Sequence, residues 1–128
     1  MIIKSSHFSV SETIDRLESI LSDNGIKVVA RVNHAAAAKS VDMDLKPTEV
    51  LFFGNPKLGT PLMQQNQLAG LDLPMRVLAW EDDNGETRVA YHDPGQLTDA
   101  LNIEGASAIV EKMQTALNRF VTGASEHQ

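Results

Sequence analysis

The sequence predicts one α+β domain over residues 1–123, in the order β-α-β-β-β-β-α with short helices inserted between strands, and a loose tail over 124–128. Three observations carry that prediction. Near the N-terminus a capping box opens an amphipathic stripe, the signature of a long helix. In the second half, two apolar runs flank Asp82-Asp83-Asn84-Gly85, the strongest hairpin signal in the chain. Towards the C-terminus, a second stripe from Ala106 to Val121 predicts a closing helix.

Taken in order, Ile2 to Phe8 alternates roughly and predicts a first strand. In Ser9-Val10-Ser11-Glu12, the Ser9 hydroxyl can accept from the Glu12 amide and the Glu12 carboxylate can return the bond. Val10, Ile14, Leu17 and Leu21 follow at steps of four, three and four, one face of a helix. Asn24-Gly25 ends it, because glycine takes the left-handed conformation at a helix C-terminus without a steric penalty. Ile26 to Val32 reads as a strand, with Ile26, Val28, Ala30 and Val32 on one side and Lys27 and Arg31 on the other. His34 to Ser40, with four consecutive alanines, predicts one or two helical turns, and Glu49 to Phe53 a buried third strand. Thr60-Pro61 has the form of an N-cap and first-turn proline, predicting a helix to about Ala69. Leu73-Pro74 resets the chain before a strand from Met75 to Glu81. Asp93-Pro94 repeats the cap-and-proline pattern and opens a short helix to about Leu101. In the closing helix Ile109, Met113, Ala116, Leu117 and Phe120 share one side, and Gly123 is expected to stop it.

Asn84-Gly85 as a two-residue loop sets a definite register. Glu81 then faces Arg88, Trp80 faces Val89, Leu78 faces Tyr91, and Arg76 falls opposite Asp93. Arg76, Leu78, Trp80, Val89, Tyr91 and Asp93 share one face, while Val77, Ala79 and Ala90 share the other. Trp80 and Tyr91 are expected in the core.

Composition narrows the classes of function. Seventeen carboxylates against 11 Lys and Arg leave a net charge of −6, which opposes nucleic-acid binding because that needs a cationic face. The chain has no cysteine, which excludes disulfides, thiolate metal sites and a Cys nucleophile. No apolar window approaches the ~18 residues that span a bilayer, and the N-terminus lacks the pattern of a signal peptide. A cytoplasmic protein without membrane contact is expected.

The stretch Leu51–Met63, LFFGNPKLGTPLM, raises the question of a phosphate loop. Gly54, Gly59 and Thr60 have part of the required spacing, but Thr60 follows Gly59 directly, so the lysine is missing from its slot. Pro56 removes an amide that would hold phosphate, and Pro61 sits where helix amides should begin. The stretch reads instead as a rigid bend: Asn55-Pro56 turns the chain, Gly59 permits a second corner, and Thr60 caps a helix at Pro61.

The same residues carry a resemblance. FFGNPKLGTPLM, then LDLPMRVLAWEDDNGETRVAYHDP, with NHAAAAKSVDMDLKPTEV upstream, resemble the bacterial and archaeal domain of unknown function family 302 from about Ile2 to Phe120. That resemblance implies a curved antiparallel sheet with helices on one face, similar to the TATA-binding-protein fold, and suggests a small homodimer. It supplies no activity, substrate or catalytic residue.

Among the polar residues that local structure does not require, Arg76 and Asp93 are expected to pair across the hairpin, as an anion anchor or as a structural salt bridge. His34 could serve as a base or ligand contact, or as an ordinary capping histidine. His92 falls on the opposite face in this register, so a relay with Asp93 is not expected. No histidine and carboxylate spacing suggests a metal site, and no cofactor is expected. Nothing resembles a nucleophile elbow. The candidate ligand site is therefore His34, Asn55, Gly59, Thr60, Arg76 and Asp93, a pocket between the Asn55–Thr60 corner and the strand ends. The leading expectation is a non-enzymatic module, working as a homodimer, that binds a small anionic molecule or another protein. One alternative is an enzyme on a small anionic substrate, with Arg76 as anchor and His34 as acid–base group. Another is nucleic-acid binding through an open sheet face.

Overall fold

The computed structural model describes residues 1–127. Five strands, β1 (Ile2–Ser6), β2 (Lys27–Asn33), β3 (Thr48–Gly54), β4 (Met75–Glu81) and β5 (Thr87–Tyr91), form one antiparallel sheet in the order β1-β5-β4-β3-β2. Helices α1 (Val10–Asp23) and α5 (Ser107–Ser125) pack on one face of it. Three shorter helices, α2 (His34–Lys39), α3 (Pro56–Gln65) and α4 (Pro94–Ala100), and a 3-10 turn over Gln67–Leu71 lie in the connections. The class and element order are those the sequence predicts.

The long helices form for local reasons. Ser9 Oγ accepts from the Glu12 amide at 3.2 Å, and Gly25 at φ +70° follows the last turn of α1. Val10, Ile14, Leu17 and Leu21 point inward and meet Leu51, Phe53, Val77 and Val89 of the sheet and Leu117, Phe120 and Val121 of α5. Each such side chain contributes about 1.5–3 kcal/mol on burial. A smaller cluster of Leu62, Ala69, Val110 and Met113 ties α3 and the 3-10 turn to α5.

Four local expectations are corrected. The hairpin is one residue out of the predicted register: Leu78 pairs with Ala90, Ala79 with Val89, Trp80 with Arg88 and Glu81 with Thr87. Asp82 is the cause. Its Oδ1 accepts from the amides of Asn84 and Glu86, and its own amide donates to the Glu86 carbonyl, so the loop holds three residues, Asp83 to Gly85. Gly85 has φ +77° but Asn84 does not have positive φ, which excludes the two-residue turn with both centres left-handed. A one-residue slip moves every β5 side chain to the other face. Val89 and Tyr91 therefore join Val77 and Ala79 under the helices, while Arg88 and Ala90 join Arg76, Leu78 and Trp80 on the open face. Trp80 is half-exposed there instead of lying in the core.

In β2 a bulge at Val29 breaks the alternation, so Ala30 and Val32 turn outward and Arg31 turns toward α1. The second proline corner does not exist either. Asn55, not Thr60, caps a single helix α3 that runs through Gly59 and Pro61. Finally, Gly123 does not stop α5, which continues to Ser125 and buries Ala124 and Ser125. A Cβ at Gly123 would lie 3.0 Å from Ile20 Cδ1, so this glycine serves the close approach of α5 to α1. Of the expected tail, Gln128 lies outside the described residues.

Candidate functional site

Three hollows, each of about 320–340 Å³, contain the six candidate residues between them. The first is on the open face, where β3, β4 and β5 bring Phe52, Arg76 and Leu78 beside His34, the first residue of α2, and His92, just after β5. Asn33 holds the start of α2 by accepting from the Ala36 amide at 2.9 Å, which fixes where His34 emerges. Arg76 is half-buried, with its guanidinium 5.0 Å over the Phe52 ring and one nitrogen donating to the Pro74 carbonyl at 3.4 Å.

Asp93 does not pair with Arg76. None of the ion pairs among the described residues uses Arg76. Asp93 Oδ1 instead accepts from Gln114 Nε2 at 2.7 Å and from the Gly95 amide at 2.9 Å, capping α4. Those bonds, the Gln114 bond first, hold its carboxyl below the ordinary carboxylate range. The reason is the register: continuing the observed ladder puts His92, not Asp93, across from Arg76. Arg76, His92 and Asp93 still share the wall of a second hollow over Met75, Leu97 and Leu101. Burial, and secondarily the Asp93 charge, push the nearby Tyr91 phenol up.

Asn55, Gly59 and Thr60 line a third hollow at the end of the sheet, with Lys27, Met63 and Leu73. It meets the second hollow at a wall of Leu73, Met75 and Met113, so the single pocket expected from sequence is two separate spaces. Asn55 is occupied as the cap of α3, Gly59 is buried within that helix, and Thr60 is exposed on it.

Sequence reasoning missed His92, which the corrected register returns to the Arg76 face, and Lys27 and Met63 of the third hollow. It also missed the charge cluster at Arg31. There Glu49, nearly buried on β3, receives Arg31 Nε at 2.8 Å, and Asp15 of α1 receives Nη1 at 2.6 Å. Its bonds to Glu49 and Asp15 outweigh burial and raise the guanidinium further above its ordinary value, so it stays charged at every ordinary pH. Among the described residues no group of three His, Cys, Asp or Glu is placed to hold a metal ion.

The domain of unknown function DUF302 matches residues 1–123. The chain belongs to this family. The crystal structure of an uncharacterized conserved DUF302 protein from Bacillus stearothermophilus superposes with a TM-score of 0.85 at 21% identity, covering 96% of both chains, a likeness of fold. Two curated relatives are each 41% identical over 123 residues, 96% of this DUF302 chain. They are the fluoride-specific ion channel FluC 1 of Brucella suis biovar 1, of which 46% is covered, and FluC 1 of Brucella abortus biovar 1, of which 43% is covered. The chain thus spans less than half the length of the curated relatives it matches. No helix of the described DUF302 residues is long and apolar enough to cross a membrane.

Proposed function

We propose that this DUF302 chain is a non-enzymatic, cytoplasmic binding module that works as a homodimer and holds a small anionic molecule at the Arg76 hollow of its open sheet face. The Arg76 guanidinium carries the reading. It is half-buried, stacked over Phe52, outside every ion pair among the described residues, and it lines a hollow shared with His34 and His92. A planar guanidinium partly removed from water, with donors to spare, is complemented by a carboxylate or phosphate that accepts two parallel hydrogen bonds. The match to less than half of each channel-named relative supports a module reading, because a channel needs membrane-spanning segments and no helix of the described residues is long and apolar enough to be one. Fluoride is itself a small anion and belongs among the probes.

Titration with phosphate, acetate and fluoride, followed by amide NMR, tests the site. Saturable shifts are expected at His34, Phe52 and Arg76, weakened about tenfold or more in Arg76→Met with the melting temperature retained. The absence of saturable shifts with all three anions sinks the proposal. Loss of stability in Arg76→Met with anion binding unchanged makes the residue structural.

The shared lining of His34 and Arg76 also favours a second reading, in which His34 acts as acid–base group on an anchored anion. That reading requires a turnover that His34→Ala abolishes. Nucleic-acid binding through the same face rests on Arg76, Arg88 and Lys27, and a low-salt gel shift without a retarded band ends it.

A further inference from the structure

We propose that the hollow beside α3 is a second, separate site that takes a small amphiphile: an aliphatic chain carrying one carboxylate. Its volume, about 340 Å³, is within the range of small-molecule pockets, roughly 300–1,000 Å³. Three methionines, Met63, Met75 and Met113, form its body with Leu73 and Pro74. Thioether side chains are unbranched and polarizable, so such a wall repacks around tails of varied shape. Gly54, Gly59 and Gly70 complete it without side chains. A Cβ at Gly70 would come within 3.2 Å of Met63 Sδ, and one at Gly54 within 3.5 Å of Pro74 Cβ. Gly54 and Gly59, the glycines that imitate a phosphate loop, line the same apolar space, where an added Cβ would meet only ordinary contacts at 3.5 Å.

Charge decides the head group. Among the described residues Lys27 is the only ionisable one lining the hollow, it is exposed, and no ion pair uses it. No carboxylate among the described residues lines the space, in a chain of net charge −6. The bulge in β2 brings Val29, 56% exposed, to the same rim and extends the apolar path toward the lysine. An aliphatic tail among the methionines with its carboxylate at Lys27 satisfies both features. A purely apolar molecule leaves the cation unused, and a compact anion such as phosphate leaves the methionines unused.

The test uses the full chain with its methionine methyls labelled with carbon-13 and titrated with octanoate, 1-octanol and acetate. Octanoate is expected to move the Met63 signal saturably, while Met43, exposed in the connection after α2, stays in place. Lys27→Gln is expected to weaken octanoate by about tenfold and to leave octanol unchanged, as loss of one charge-assisted contact does. A silent Met63, or a Met43 signal that moves in step with it, overturns the site, the latter because the response is then not confined to the hollow. Octanoate affinity unchanged in Lys27→Gln overturns the head-group assignment, and acetate alone moving Met63 overturns the tail. The Arg76 hollow is read separately through His34 and Phe52, so either site can fail without the other.

Discussion

At the scale of single residues, the interactions that matter most join elements distant in sequence. Arg31 is the clearest case. It crosses from an edge strand to α1 and satisfies Glu49, which is 6% exposed and has no other cation within ion-pair distance among the described residues. Removing one partner of such a pair leaves a nearly buried charge, and Arg31 is itself a quarter exposed, so the loss falls below that of a fully buried pair. Arg31→Met is expected to cost on the order of 2–3 kcal/mol in urea unfolding, and Arg31→Met with Glu49→Leu to recover most of it. A double variant no more stable than the single one would show that the attraction, not the stranded carboxylate, was the larger effect. Asp93 gives a prediction with a sign in pH. Its folded pKa is depressed by Gln114 and the Gly95 amide, so its contribution is complete above the ordinary carboxylate pKa and disappears as pH falls through the folded value. Asp93→Ala should lose about 1 kcal/mol near neutrality, measured by melting, and its deficit against wild type should narrow in acid. A deficit that stays constant into acid rules out the charge as its source.

At the scale of elements, the hairpin loop separates what a local pattern can decide from what it cannot. Because Gly85 has φ +77° and Asn84 does not have positive φ, Gly85→Ala is expected to cost about 1 kcal/mol while Asn84→Ala stays within about 0.5 kcal/mol. Equal costs at the two positions would restore the two-residue loop. Helices α1 and α5 were legible because a stripe at helical spacing and a cap are encoded within a few neighbouring residues. Loop length was not, because the Asp82 side chain competes with Asn84-Gly85 for control of the turn, and nothing in the string ranks the two. The bulge at Val29 was hidden for a related reason: Val28, Val29 and Ala30 are all apolar, so no polar residue marks the slip. Asn55-Pro56 and Thr60-Pro61 both satisfy the cap-and-proline rule, and nothing along the chain ranks the two starts. Gly123 has the ordinary form of a helix stop, and its real cause, Ile20 of another helix, is invisible along the chain. The candidate site inherited these errors directly, since the Arg76–Asp93 pair was a deduction from register.

At the scale of the whole molecule, the open sheet face decides how the proposed homodimer would form. Ile3, Val32, Val50, Phe52, Leu78 and Trp80 lie on the side away from α1 and α5, and none of the strand residues on that face is a carboxylate. Five strands about 4.8 Å apart, each about six residues long at ~3.4 Å per residue, make a face on the order of 500 Å². A stable interface takes about 800 Å² from each partner, so the sheet alone falls short. The connection after α2 can supply the rest, since Val41, Met43 and Leu45 are 64%, 65% and 51% exposed. Two copies meeting here bring together Arg76 and Arg88 from both sides, while the connection carries exposed Asp42 and Asp44 between its apolar residues. Those opposite charges offset one another at the interface, and salt screens attractions and repulsions alike. Sedimentation of wild type at micromolar concentration should give a dimer, and Leu78→Glu, which places a carboxylate at the centre of the half-exposed face, should give a folded monomer. Met43→Asp should weaken the dimer less, because it removes area at the rim without burying a charge at the centre. A monomeric wild type at all salt concentrations, or a dimer indifferent to Leu78→Glu, leaves the face without a second copy.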